Sequence, residues 1–359
     1  MSRPIKLAAL ACSGALLVGV TACGGNSAND KTGATSTGSS QNDGGGDAKS
    51  LVSNSAMAIG DSKEATITVR FDTTKDDIKK IATIGSDTAT PIDDKVAQFI
   101  ADSSLSVAVR SQTALKDMKD PFGSDLSITH KSGDITNQIV LLAGLKSIYV
   151  KVPVLKQYEL FTGKDMSGEM GSAPEWAKTM FNGDWVGMDI PEDTRNQILS
   201  GMKSAPTATS SAQTEALKTA FMNNATFTDQ GDKDGGKAVR IDVKLKPMLE
   251  AAQKDGPTAA ASLQESTDSI KDDAVLTLDT VVKDNTLASV RFDLTQVKGW
   301  VNEANLKSTS DKESFAKFKN LDFKAAVVMT YDKAANVDVP SGAKMVTMAE
   351  LGQLFGGSL

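Results

Sequence analysis

The 359-residue chain has little of the side-chain chemistry that metal sites and many active sites use. It contains one histidine and two cysteines, and only 5% of its residues are aromatic. A single histidine excludes sites built from several histidines of this chain, and two cysteines exclude zinc ribbons, iron–sulfur clusters and a fold held by several disulfides. The formal net charge of −6 argues against a general nucleic-acid-binding protein.

Catalytic motifs are also missing. No G-x-S-x-G nucleophile elbow occurs, and no sequence signal supplies His130 with a nucleophile and an orienting acid, so a structural histidine is the favoured interpretation. The segment GDKDGGKA (231–238) has the spacing of a phosphate-binding loop, but Ala238 replaces the hydroxyl residue that would hold magnesium. We therefore expect a protein that is not an enzyme and that needs no metal or cofactor.

The N-terminus has the layout of an export signal. Arg3 and Lys6 precede an apolar run from Leu7 to Val20, which is too short for a comfortable membrane span. Val20-Thr21-Ala22-Cys23 resembles a bacterial lipobox, in which an aliphatic residue and two small residues precede a cysteine. That resemblance implies removal of residues 1–22, lipid attachment at Cys23 with further acylation of the new N-terminus, and anchoring at the outer face of the cell membrane.

A polar segment follows the lipobox. Between residues 24 and 50, 21 of the 27 residues are Gly, Ser, Thr, Asn or Asp. Such a composition buries too little apolar surface to offset its ordering entropy. We therefore predict a disordered tether over residues 23–55, with an r.m.s. span of roughly 30 Å.

From residue 56 onward, apolar residues recur at period two. This alternation, with one wet and one buried face, is typical of antiparallel sheet. The turn residues Asp284-Asn285 and the Gly231–Gly236 segment predict two hairpins. The predicted strands are Ala65–Phe71, Leu105–Val109, Leu126–Ile128, Ile139–Leu142, Ile148–Val154, Ala225–Asp229, Ala238–Leu245, Ala274–Leu278, Val290–Leu294 and Phe323–Tyr331.

Stretches with helical spacing interrupt these strands. They are Asp93–Asp102, Pro174–Phe181, Pro191–Met202, Thr214–Met222, Pro247–Gln253, Thr258–Lys271 and the C-terminal MAELGQLF. The predicted fold class is α+β: a curved, mostly antiparallel sheet packed on several helices, preceded by the signal and the tether. One domain over residues 56–359 is favoured, with a division near 205–213 as the alternative.

Two local patterns carry a family resemblance over residues 90–345. SIYVKVPVLKQYELFTGK (147–164) leads to GDWVGMDIPED (183–193), and LTLDTVVKDNTLASVRFDLTQ (276–296) forms a hairpin that ends in a Phe-Asp-Leu strand. With the lipobox and tether, this order resembles actinobacterial lipoproteins of the mycobacterial glycolipid-carrier type. The resemblance implies a curved antiparallel sheet wrapped on helices, as in periplasmic lipoprotein carriers, and some members hold acyl chains between the two.

The resulting expectation is an envelope lipoprotein that binds or carries an apolar ligand, a lipid or glycolipid. The expected ligand-lining residues are Val107, Val109, Ile148, Val150, Val152, Trp176 and Trp185. The alternative uses the same residues as a filled core, in which case the protein is a structural or protein-interaction lipoprotein without a ligand cavity.

Overall fold

A computed structural model describes residues 45–84, 92–117, 123–130, 135–142, 146–165, 168, 171, 173–197, 211–255, 267–306, 308–335, 337–347 and 350. The export signal, Cys23 and the predicted tether up to residue 44 lie outside this part of the chain. So do most of the helix predicted over Thr258–Lys271 and all of the predicted C-terminal helix except Glu350.

Strands and helices alternate irregularly along the described chain. The strands are β1 (Glu64–Thr73), β2 (Ser103–Arg110), β3 (Gly123–His130), β4 (Thr136–Leu142), β5 (Ser147–Lys151), β6 (Val186–Asp189), β7 (Ala225–Lys233), β8 (Gly236–Lys244), β9 (Val275–Lys283), β10 (Thr286–Asp293), β11 (Ala325–Asp332) and β12 (Lys344–Met345). The helices are α1 (Gly45–Asp61), α2 (Lys75–Ala82), α3 (Asp94–Ala101), α4 (Val154–Thr162), α5 (Glu175–Asn182), α6 (Ser211–Asn224), α7 (Leu245–Asp255), α8 (Val297–Trp300) and α9 (Thr309–Asn320).

The twelve strands form one open, curved sheet in the order β12-β6-β5-β4-β3-β2-β1-β11-β10-β9-β8-β7. Neighbouring strands are antiparallel, except that the short β12 pairs parallel with β6. The predicted α+β class with a curved, mostly antiparallel sheet is therefore confirmed. We call the strands β7–β11 the closed half of this sheet and the strands β1–β6 the open half.

Two hairpin turns confirm predictions made from local residues. Asp284 and Asn285 have φ angles of 49° and 55°, and Asp234 and Gly235 have 54° and 77°. Positive φ at both central positions is the mark of the type I′ turn, whose twist matches that of the flanking strands. The loop at 231–238 is thus a hairpin, and the rejected phosphate-binding interpretation has no support in the structure.

Helix α1 corrects the predicted start of the domain. It covers residues 45–55, which the composition assigned to the tether, and it continues to Asp61. Ala48, Val52 and Ile59 are at most 4% exposed, and their spacing of four and seven residues places them on one face of the helix. This sparse apolar stripe lies among Gly and Ser residues. A prediction from composition alone therefore placed the start of the domain at residue 56 instead of residue 45.

Proline explains a second difference. The alternating pattern predicted a strand up to Val154, but β5 ends at Lys151 and α4 begins at Val154. Pro153 has no N–H to donate to a ladder, and its fixed φ suits the entry to a helix. Helices α2, α4 and α9 were not predicted. Of the predicted helix Pro191–Met202, residues 192–197 are helical, Pro191 precedes them, and residues 198–202 lie outside the described part.

The main core lies on one side of the closed half, which we call the inner face of the sheet. Leu278, Val290 and Phe292 of that face are completely buried. They pack against side chains of α1, α6, α7, α8 and α9. The indole N–H of Trp300 in α8 donates to the carbonyl oxygen of Val275 at 2.7 Å, which fastens this helix to the sheet.

Candidate functional site

The apolar inner face continues without a break from the closed half into the open half. Registered partners in adjacent strands lie side by side on the same face of a sheet. One row therefore crosses seven strands, through Tyr331, Ile67, Val107, Leu126, Ile139, Val150 and Val186. The next row along the strands runs through Met329, Val69, Leu105 and Ile128.

The two halves differ in how far the inner-face side chains are covered by other parts of the chain. In the closed half the large inner-face side chains are at most 9% exposed. In the open half six of them are between 38% and 44% exposed, and we call these six the open apolar surface. They are Phe71, Leu105, Val107, Leu126, Ile128 and Ile139. A contiguous exposed patch of this kind marks a binding surface more often than a single exposed residue does.

Two buried clusters border the open apolar surface. On the β1 side it meets the main core, against which Ile67 and Val69 pack. On the β6 side α5 covers the sheet, where Trp176 is 5% exposed and packs with Val186. The distance from β1 to β5 spans four strand spacings, about 19 Å. The open apolar surface is therefore the floor of a groove between two walls.

Aromatic side chains close one end of this groove. Phe99 of α3 stacks on His130 of β3, with ring centroids 5.4 Å apart and an interplanar angle of 7°. Phe161 of α4 meets Phe99 edge-on at 5.5 Å. His130 Nε2 also lies 4.0 Å from Asp102 Oδ2. His130 thus joins α3 to the sheet, and Phe99 in turn contacts α4, which agrees with the interpretation of His130 as a structural residue.

The structure brings together four of the seven predicted lining residues. Val107, Val109, Ile148 and Val150 share the inner face of the open half, although Val109 packs against the main core. Val152 is half-buried just past the end of β5. Trp176 belongs to the groove wall formed by α5.

Trp185 is wrong as a lining residue. It packs on the opposite, outer face of the sheet with Val140 and Tyr149, and Lys151 Nζ lies 5.9 Å from its ring. Successive residues of a strand point to opposite faces of the sheet. Because Val186 points to the inner face, Trp185 points to the outer face. The prediction did not include Phe71, Leu105, Leu126, Ile128 and Ile139, which belong to the open apolar surface, although their period-two spacing was visible in the sequence.

A C-terminal segment, the strap (residues 333–335 and 337–346), covers the outer face of the open half. Its Ala335 and Val337 are buried against Ala108, Val140 and Tyr149. The strap ends in β12 at the free edge of β6. This outer cover leaves the inner face as the exposed apolar side of the open half.

Arg110 of β2 fastens the strap. Its guanidinium donates to the carbonyl oxygen of Ala335 at 2.7 Å and to that of Val337 at 3.3 Å. It also pairs with the carboxylates of Asp338 at 3.0 Å and Glu64 at 3.1 Å. These carboxylates raise the pKa of Arg110, and the hydrogen bond that Arg110 donates to Asp338 is the largest cause. One side chain thus connects β1, β2 and the strap.

A buried carboxyl group lies in the same outer-face cluster. Asp125 of β3 is 6% exposed and sits between Ala108 and Val140 in the register. Its Oδ2 accepts a hydrogen bond from Gln138, whereas Oδ1 is buried without a hydrogen-bond partner among the described residues. Burial is the main cause that raises the pKa of Asp125, and the hydrogen bond from Gln138 opposes it.

Within the described ranges, no three His, Cys, Asp or Glu side chains cluster as ligands of a metal ion would. None of the helices in those same ranges combines the length and the apolar composition that a membrane crossing requires.

The fold and the groove define a class: an open antiparallel sheet with helices sealing one half and, in the described part of the chain, a partly exposed apolar surface on the other. LprF from Mycobacterium bovis is similar over 83% of this chain and 98% of its own, with 11% identity and a TM-score of 0.33. The Mycobacterium tuberculosis lipoprotein LppX is similar over 82% of this chain and 99% of its own, with 11% identity and a TM-score of 0.30.

Both proteins come from mycobacteria, and LppX is a lipoprotein. The likeness is one of fold alone. No protein-family model matches the chain, and no curated protein does.

Proposed function

We propose that this protein is a non-enzymatic, lipid-anchored envelope lipoprotein whose groove binds the acyl chains of a lipid. The observation that carries the proposal is the open apolar surface, six large side chains on one face of four adjacent strands, each 38% to 44% exposed. The other half of the same sheet buries the equivalent residues under its own helices. An acyl ligand would supply the missing cover.

Covering the open apolar surface would contribute enough free energy for a lipid to bind reversibly. Fully burying a large apolar side chain contributes about 1.5–3 kcal/mol, so covering the exposed fraction of each contributes about 1 kcal/mol. The six together offer roughly 5 kcal/mol before the costs of association are subtracted. Each methylene that a ligand buries adds about 0.8 kcal/mol. A single medium-length acyl chain therefore suffices for reversible binding.

The predicted anchor fits such a function. Acylation at Cys23 would hold the protein at the outer face of the cell membrane, and residues up to 44 would link the anchor to α1. A domain held there can exchange lipids with the bilayer. The absence of catalytic motifs from the sequence and the aromatic packing of His130 support a binding role over catalysis.

Val107 and Val275 offer a matched pair for testing the proposal. Both valines are 38% exposed on strands, but Val107 lies on the open apolar surface and Val275 on β9 of the closed half. The experiment is native mass spectrometry of the full chain carrying Cys23→Ser, purified from a lipid-rich bacterial host. We expect bound lipid in this chain and in its Val275→Asp variant, and at least tenfold less in Val107→Asp, because a carboxylate in the groove floor must be desolvated.

Two outcomes would contradict the proposal. Absence of co-purifying lipid from all three proteins would favour the structural or protein-interaction alternative. Equal lipid in both valine variants would place any bound lipid away from the groove. Thermal unfolding of each variant controls for loss of the fold.

A further inference from the structure

The polar side chains of the groove gather at one end. On the inner face of β1–β5, the row formed by Leu105 and Ile128 continues to Asn137 of β4. Gln157 of α4 reaches this row, and its amide nitrogen donates to Asn137 Oδ1 at 2.5 Å. Both side chains are half-buried. An amide pair thus stands where the apolar floor meets the aromatic end wall.

This amide pair retains both donors and acceptors. An Asn or Gln side chain carries two N–H donors and an oxygen with two lone pairs. The bond between Gln157 and Asn137 uses one donor and one lone pair, and the structure records no other hydrogen bond of either side chain to the described residues. The N–H groups of Asn137 and the carbonyl oxygen of Gln157 are therefore available to a ligand that both donates and accepts.

The surroundings of the pair carry little charge. No Lys or Arg of the described residues lies on the inner face of β1–β5, where His130 is the single ionisable group. On the neighbouring helices, Lys75 and Lys79 are both paired with Asp94, and Lys95 and Lys156 are exposed to solvent. An anionic head group would find no unpaired cation on this face to offset its desolvation, whereas hydroxyl groups match an amide pair in both hydrogen-bonding directions.

We propose that Asn137 and Gln157 form a head-group subsite, and that it selects lipids with an uncharged, hydroxyl-bearing head over lipids with a phosphate head. This inference rests on the proposed function, because it needs acyl chains in the groove. The acyl chains extend from the amide pair across Ile128 and Leu126, and the hydroxyl groups of a glycerol or sugar bond to Asn137 and Gln157.

The test compares two lipids with identical chains, 1,2-dioctanoylglycerol and 1,2-dioctanoylphosphatidic acid. Each is titrated by native mass spectrometry into the full chain carrying Cys23→Ser. We expect tighter binding of dioctanoylglycerol by about tenfold, the effect of two net hydrogen bonds. Asn137→Leu and Gln157→Leu should each reduce that preference about threefold while leaving phosphatidic acid binding nearly unchanged.

Gln230→Leu is the control, because Gln230 is an exposed amide on β7 at the far edge of the sheet. Gln157→Glu keeps the shape of the side chain if either leucine variant unfolds, and it should lower the affinity for phosphatidic acid further. Equal affinity of the unaltered site for both lipids, or equal effects of Asn137→Leu and Gln230→Leu, would overturn the head-group proposal. Failure of both lipids to bind would instead overturn the proposed function.

Discussion

The two halves of the sheet carry the same apolar alternation, but their inner-face side chains differ in how far they are exposed to water. In the closed half, Ile241, Leu278 and Val290 are fully buried under helices. In the open half, Leu126 and Ile128 continue the same face yet are 44% and 42% exposed. The strands of both halves have the same apolar pattern. The difference in exposure therefore comes from the helices that pack over them.

This difference shows what an apolar face can be used for. A covered face supplies stability, because each buried side chain is removed from water. A partly exposed face forgoes some of that contribution, and we propose that it leaves the surface for a ligand. The outer face of the open half is covered by the strap, so stability there comes from the side opposite the groove.

The largest expected effect compares the two halves directly. Phe292→Ala removes a fully buried ring that stacks on Trp300 at 5.8 Å, and it should lower the free energy of unfolding by about 3–5 kcal/mol. Leu126→Ala should lower it by about 1 kcal/mol, because nearly half of that side chain is already in water. Urea unfolding measures both, and similar losses would mean that the open apolar surface is covered in solution.

The second prediction concerns the strap on the outer face. Arg110→Ala should lower the free energy of unfolding by about 2 kcal/mol, because it removes hydrogen bonds to two carboxylates and two strap carbonyl groups. Arg240→Ala is the control, since its pair with Asp279 is about half exposed and contributes under about 1 kcal/mol. Limited proteolysis should cleave the strap faster in Arg110→Ala only; unchanged cleavage would show that Arg110 does not fasten it.

The smallest prediction concerns pH. Burial raises the pKa of Asp125 above its ordinary value of 3.8, so the folded state holds its proton to higher pH than the unfolded state does. Its stabilising contribution is therefore complete below pH 3.8 and is lost as the pH rises through the raised pKa. Asp125→Asn should stabilise the protein by about 1 kcal/mol at pH 7 and by less at pH 4.

Chemical unfolding of both proteins across this pH range checks that sign. Asp72 and Asp77, whose pKa values are lowered, titrate in both proteins and cancel in the difference. A difference that shrinks as the pH rises would contradict the buried position of Asp125.

Turns and strands were predictable from the sequence, whereas the half of the sheet over which the helices pack was not. The hairpin at Asp284-Asn285 and the strands around Val107 and Val239 follow from turn chemistry and period two, which act over a few residues. Trp185 was misplaced although the parity of Val186 and Met188 gave its face. Which half of the sheet the helices would cover depends on contacts between distant segments, as when α1 packs on β9 and β10, and no local pattern reports those contacts.

The polar end of the groove shows the same limit. Asn137 and Gln157 are 20 residues apart on a strand and a helix, and neither stands in a motif. Their meeting follows from β4, β5 and α4 folding back on one another. A sequence can indicate the apolar floor of such a site, but residues that meet only in the fold, such as the two proposed for the head-group subsite, cannot be found from it.

The most direct test of the central claim is photo-crosslinking with a diacylglycerol whose acyl chains carry a diazirine. The full chain with Cys23→Ser is irradiated with this lipid, digested and analysed by mass spectrometry. We expect labels on peptides that contain β2 and β3, where Leu105, Val107, Leu126 and Ile128 form the groove floor. Labels concentrated on β8–β10, or spread evenly over the chain, would contradict it.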